Sequence, residues 1–193
     1  LPEEDGLALA RSSEFGVRSA ENKVVKIVVV RLKSISNFTD FDPFMLEPDV
    51  MLQYSDRYED IENADLVILP GSKNTVADLL QLKEQHLDES IRRGFAKGAQ
   101  IIGICGGYQM LGQKISDPHG VESDQRTIEG IGLLNIETTF DRKKITCRSK
   151  AEIVSSSFLS VYDSATQPQL FGYEIHMGTS AGDIGLFRMT RIA

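Results

Sequence analysis

Two cysteines and three histidines carry most of the nucleophilic and proton-transfer chemistry open to this chain. Cys105 lies in "AQIIGICGGYQMLG", residues 99–112, where an apolar run gives way to Gly103-Ile104-Cys105-Gly106-Gly107. The form Gly103-x-Cys105-x-Gly107 is that of a nucleophile elbow. A turn from strand to helix of this kind is too tight for bulky neighbours. It holds the thiol above the sheet, at the start of the next helix, where free N–H groups and the helix dipole favour the thiolate. The Gly106 N–H, one residue after the thiol, is placed to donate to an oxyanion. A second donor is needed, and the Gly71 N–H of "ILPGSKNT" is the candidate. The short pattern also fits a small packed thiol among glycines. The strand before it, the helix after it and the second glycine turn favour the nucleophile. Cys147, in "KKITCRSK", sits in an alternating strand without a glycine turn and reads as structural.

A cysteine nucleophile calls for an imidazole as base. His86, in "LKEQHLDES", reads as a surface residue, and His119, in "SDPHGVES", as part of a turn. His176, in "GYEIHMG", ends a strand, and Glu174 two residues earlier points to the same face. The residues alone thus offer a Cys105–His176 pair, with Glu174 as a third member. Gln109 follows the elbow by one helical turn, where its amide contacts substrate or braces the turn; bracing is the favoured role. Ser72 and Asn74, on the other glycine turn, are helix-cap candidates. Ser72 is also a candidate for substrate contact.

These residues need a scaffold to position them. "KVVKIVVVRLKSIS" holds a near-continuous β-branched run, expected of a parallel strand buried on both faces. "DVMLQYS", "ADLVILPGSKNT" and "AQIIGIC" supply three more strands. A helix is expected after Pro70-Gly71-Ser72, with Val76, Leu79, Leu80, Leu87, Ile91 and Phe95 on its apolar positions and Gly98 as its stop. "GYQMLGQKI" is expected to be the helix after the elbow. Alternating strands and helices predict an α/β fold, a mostly parallel sheet with helices on both faces. Ligands then bind beyond the carboxyl ends of the strands, where both glycine turns fall. From about residue 128 the pattern alternates and is rich in Ile, Thr and Val, predicting antiparallel strands through "GIGLLNIETTFDRKKITCRSKAEIV", "QPQLFGYEIHMG" and "IGLFRMTRI". Residues 1–22 read as a linker or the end of a preceding domain, leaving 23–193 as the domain proper.

Composition narrows the function classes. A chain of 193 residues, 41% hydrophobic, suits one domain with a substantial core. A net charge of −7 without a Lys/Arg block argues against nucleic acid and anionic membrane as partners. No apolar run reaches roughly 18 residues, so no membrane span is expected. The cysteines form neither a disulfide framework nor a metal-ligand spacing, and a cytoplasmic location without metal is the expectation. The Gly-x-x-x-x-Gly-Lys phosphate loop is absent, so ATP binding is not expected in this chain.

The block "GICGGYQMLG" resembles the class I glutamine amidotransferases, whose G-x-C-x-G-x-Q signature falls here on Gly103, Cys105, Gly107 and Gln109. More narrowly, "ADLVILPGSKNTVADL", "ISDPHGVES", "GIGLLNIETTF" and "GYEIHMG" resemble the cobyric and cobyrinic acid branch, in the same order. The resemblance covers nearly the whole chain. It implies a flavodoxin-like sheet and hydrolysis of glutamine through a Cys105 thioester, with Gly71 and Gly106 as oxyanion donors. It further implies that ammonia passes to an ATP-dependent synthetase domain of a longer chain, which amidates corrin carboxylates in cobalamin biosynthesis; ATP and Mg would belong to that domain. "LPEEDGLAL" resembles the end of such a domain. The family's usual base lies in a later Gly-Thr-Tyr-Leu-His-Gly block, with a Glu two residues after the base in most of the class. Neither arrangement occurs here, so the chain is expected to be incomplete at its C-terminus and His176 is a less favoured base. The alternatives are a binding or docking domain that keeps the fold without turnover, a glutaminase serving another carboxylate, and a cysteine hydrolase of the dienelactone type, which "PGSKNT" does not support.

Overall fold

The computed structural model describes residues 24–153, 169–183, 185 and 187–192. The linker-like segment 1–22 lies outside the described residues. The chain divides into two compact units, Leu1–Tyr108 and Gln109–Ala193.

The first unit is built on strands β1 (Val25–Val30), β2 (Val50–Ser55), β3 (Leu66–Leu69) and β4 (Gln100–Gly103). They form one parallel sheet in the order β2-β1-β3-β4. This is the strand order of flavodoxin-like sheets. The β-branched run of β1 is explained by burial on both faces. Ile27 and Val29 join Leu52 and Ile68 on one face, under Phe41 of a 3-10 helix, Phe38–Leu46. Val28, Val30, Val67 and Leu69 are buried on the other. Each such side chain contributes about 1.5–3 kcal/mol relative to exposure. Helices α1 (Tyr58–Glu62), α2 (Thr75–Glu84) and α3 (Leu87–Ala96) complete the unit. Ile61 of α1 and Ile91 of α3 are fully buried.

The single helix expected from Val76 to Phe95 is two. His86 adopts a left-handed conformation, φ 54°, and separates α2 from α3. Within α3, Leu87 and Ile91 are buried, whereas Phe95, in its last turn, is exposed. Gly98 ends α3 at φ 105°, as the sequence suggests.

Helix α4, Gly106–Met110, leads from the first unit into the second and is only five residues long. The expected helix through Ile115 does not form. The carbonyls of Met110 and Leu111 accept from the N–H groups of Ile131, Leu133 and Leu134 instead of from a further helical turn. Beyond them Lys114–Ser116 is strand β5. With β6 (Thr127–Glu129), β7 (Ile136–Thr139) and β10 (Thr179–Gly182) it forms a sheet in the order β10-β7-β5-β6. Its β5–β7 pair is parallel and the others antiparallel. Strands β8 (Ile145–Ile153), β9 (Leu170–His176) and β11 (Phe187–Ile192) form a second, antiparallel sheet in the order β11-β8-β9. The chain passes from one sheet to the other at Met177-Gly178. Gly178 has φ 77°, and a Cβ there would lie 2.5 Å from the Thr139 carbonyl oxygen. Both the conformation and the space require glycine.

Candidate active site

The elbow forms at the carboxyl end of β4. Leu69 of β3 pairs with Gly103, and the Ile104 N–H donates to the Leu69 carbonyl at 2.9 Å. The chain then turns sharply, with the Gly107 N–H donating to the Ile104 carbonyl at 2.8 Å. Cys105, at the apex, is exposed and has φ 49°. A left-handed conformation costs an L-residue about 1–2 kcal/mol. Strain at a residue of this kind is a feature of nucleophile elbows. Gly107 is dictated by space: a Cβ on it would fall 2.0 Å from the Leu69 carbonyl oxygen.

The second glycine turn lies alongside. A Cβ on Gly71 would sit 3.9 Å from the Cys105 Cβ. One on Gly106 would sit 3.3 Å from the Ser72 nitrogen. Gly71, Ser72, Cys105 and Gly106 are thus brought together within the first unit. The N–H groups of Gly71 and Gly106 donate to no other described residue. Because α4 is so short, individual N–H groups, more than a helix dipole, are what this turn offers an anion.

The Gly71 turn is fixed by a residue that sequence reasoning passed over. Asp78 of α2 is 2% exposed. Its carboxylate accepts the Ser72 hydroxyl at 2.6 Å and the Ser34 N–H at 3.1 Å. The Ser72 hydroxyl also accepts the Asn74 N–H, and the Asn74 side chain caps α2 through the Ala77 N–H at 2.9 Å. The Ser72 hydroxyl is therefore held within the turn. From beyond β1, the Ser36 N–H donates to the Gly71 carbonyl. The signal for Asp78 was an acid flanked by the apolar positions Val76 and Leu79.

Gln109 is 8% exposed and its amide donates to the Met177 carbonyl at 3.1 Å. His176 is half-buried. Its Nε2 lies 2.8 Å from Glu174 Oε1, and its Nδ1 lies 2.8 Å from the Gly178 carbonyl oxygen. Alternation along β9 puts Glu174 and His176 on one face, and pairing brings Cys147 opposite Glu174. Arg191 grips the Glu174 carboxylate with two hydrogen bonds of 2.9 Å. Cys147 Sγ lies 3.3 Å and Ser149 Oγ 3.4 Å from the same carboxylate. The Arg191 hydrogen bonds, opposed by burial and joined by those from His176 and Cys147, hold Glu174 well below the usual carboxylate range. Arg191 and Cys147 were not singled out as Glu174 partners, because their meeting depends on strand register rather than on local pattern.

His86 is exposed between α2 and α3, and His119 is exposed in a turn. Asp117, two residues before His119, is fully buried. Burial would raise its carboxyl, but the N–H groups of Val121, Glu122, Ser123 and Gly120 outweigh this and hold it low. A cavity of about 220 Å³, lined by Lys26, Ile27, Gln53, Glu59, Asp60 and Asn63, lies on β1, β2 and α1, away from the elbow residues. Among the described residues no cluster of His, Cys, Asp or Glu could hold a metal ion, and no helix is long and apolar enough to cross a membrane.

Comparison with known proteins gives this geometry a context. The chain is 44% identical over 191 residues to cobyric acid synthase of Thermodesulfovibrio yellowstonii, covering 99% of this chain and 36% of that protein. It is also 44% identical to cobyric acid synthase of Syntrophobacter fumaroxidans, over 100% of this chain and 37% of that protein. The chain thus spans little more than a third of the length of these two relatives. Among solved structures, PurLQS from Thermotoga maritima superposes with a TM-score of 0.58 at 16% identity, over 88% of this chain and 76% of that one. A crystal structure of a glutamine amidotransferase gives 0.54 at 15% identity, over 83% of this chain and 79% of that one. These likenesses bear out the expected fold class. The family model for the CobB/CobQ-like glutamine amidotransferase domain matches residues 26–191, and the chain belongs to that family.

Proposed function

We propose that this domain hydrolyses glutamine and supplies ammonia to an ATP-dependent synthetase domain of the same longer protein, which amidates corrin carboxylates in cobalamin biosynthesis. The observation that carries the reading is Cys105: an exposed thiol in a left-handed conformation on a strand-to-helix turn, beside the Gly71 turn. The Cys105 thiolate attacks the side-chain amide carbon of glutamine. The Gly71 and Gly106 N–H groups stabilise the oxyanion that develops on the amide oxygen. The amide nitrogen takes up the proton that the thiol released and leaves as ammonia, a γ-glutamyl thioester remains, and water releases glutamate and restores the thiol. Preorganised N–H donors suit this step because they need no reorganisation as charge builds. His176 is not assigned as the base, since both ring nitrogens face oxygen atoms of its own strand and turn. The relatives' name, cobyric acid synthase, supports the corrin substrate and the synthetase partner. ATP and Mg belong to the synthetase in this reading, and the enzyme is cytoplasmic.

The test uses the full-length protein. Cys105→Ala is expected to abolish glutamine hydrolysis and glutamine-dependent amidation while leaving amidation from free ammonia intact. A glutamine-like chloroketone is expected to label Cys105. An unlabelled Cys105, or a Cys105→Ala protein that still hydrolyses glutamine, would refute the reading.

A further inference from the structure

The cluster on β8, β9 and β11 has no part in the chemistry just described, yet its groups are matched closely. Glu174 takes two hydrogen bonds from Arg191 and one contact each from His176, Cys147 and Ser149. His176 spans from that carboxylate to the Gly178 carbonyl. One residue earlier, the Met177 carbonyl accepts from Gln109. Met177-Gly178 is where the chain leaves one sheet for the other, and Gly178 is wedged against Thr139 and Phe140. Two successive carbonyls of this turn are therefore each held by a side chain.

We infer that Glu174, Arg191 and His176 are positioning residues, which fix the Met177-Gly178 turn so that its Met177 carbonyl locks Gln109 on the helix leaving the elbow. This rests on the reading of Cys105 as a glutaminase nucleophile. Three features favour positioning over proton transfer at His176. Both ring nitrogens lie 2.8 Å from oxygens that only accept, the Glu174 carboxylate and the Gly178 carbonyl, so each is turned to donating and neither presents a free lone pair. The Glu174 carboxylate is itself anchored by a two-pronged Arg191 contact, the geometry that best fixes a carboxylate in space. Gln109 is buried, and its amide reaches a backbone carbonyl that cannot move without displacing a tightly seated glycine. Gln109 lies three residues beyond the first residue of α4, Gly106, which carries the N–H assigned to the oxyanion. Small displacements of such a donor lower the rate steeply.

The experiment measures glutamine hydrolysis by the full-length protein against pH, for the parent, His176→Ala, His176→Asn, Glu174→Gln, Gln109→Met and the His176→Ala/Gln109→Met double variant. The expected result is a loss in kcat of roughly tenfold to hundredfold for His176→Ala, Glu174→Gln and Gln109→Met. The pH at which the rate rises should not change. His176→Asn, whose amide can donate to the Gly178 carbonyl, should recover part of the loss. The double variant should be no worse than the poorer single one, because both act through one turn. A His176→Ala profile that loses its rising limb would make His176 the base and overturn the inference. Additive losses, or unaltered kcat in all single variants, would also overturn it. If His176→Ala does not fold, Glu174→Gln and Gln109→Met decide, since each leaves His176 in place. Chloroketone labelling of Cys105 in the parent separates the two readings: without it the glutaminase reading falls. The coupling of Gln109 to His176, measured on unfolding free energies, still tests the network.

Discussion

Cys105 is held in a conformation that its own side chain disfavours, and the thiol is exposed, so it gains little from packing. Replacing it with glycine should therefore help the fold while ending the chemistry. Cys105→Gly is expected to be as stable as the parent, or more stable by up to about 1 kcal/mol, in urea titration, while glutamine hydrolysis disappears. Cys105→Val should lower the midpoint, because a β-branched residue tolerates positive φ least. The elbow was legible in the sequence because its constraint is local: Gly107 has no room for a Cβ, and that exclusion appears directly as a residue type. Asp78 and Arg191 were less legible, since each works on a partner placed by tertiary structure.

At the scale of elements, two short segments decide the shape of the elbow region. Gly107→Ala would drive a methyl group into the Leu69 carbonyl, with no flexible side chain to yield. It should destabilise the protein by about 3 kcal/mol, at the upper end of overpacking effects, and blunt Cys105 labelling. Asn74→Ala removes the cap of α2 and should cost about 1 kcal/mol in the same titration. The strands β1 to β4 could be read from their apolar runs, because burial on both faces leaves an unbroken stretch. The helix after the elbow is shorter than its sequence suggests. "GYQMLGQKI" has nothing locally that forbids a longer helix. What ends it is capture of the Met110 and Leu111 carbonyls by residues 131–134, a long-range event. His86 is a similar case, a left-handed residue inside a stretch whose apolar spacing reads as helix on both sides of it.

Across the whole molecule, the most buried of the carboxylates held low should weigh most in the response to acid. Asp117 and Glu174 are held below their ordinary ranges in the folded chain, by backbone N–H groups in one case and chiefly by Arg191 in the other. Their stabilisation is complete above the values of an unfolded chain, near 4, and is lost as pH falls toward the lower folded values. The urea midpoint is therefore expected to hold from pH 7 to about 5 and to decline below pH 4. Asp117→Asn and Glu174→Gln should each start lower at pH 7 and decline less. The alternating pattern beyond residue 128 revealed strands but not their division into two sheets, since a period of two says which face a residue takes and not which neighbour it pairs with. That division has a kinetic side. Strand β10 pairs with β7, yet β8 and β9, which belong to the other sheet, lie between them in the chain. The β5, β6 and β7 pairings close shorter loops and need no contribution from β10. The edge strand after Gly178 should thus be among the last to gain protection during refolding. The turn that holds Gln109 would be completed only when both sheets are already in place.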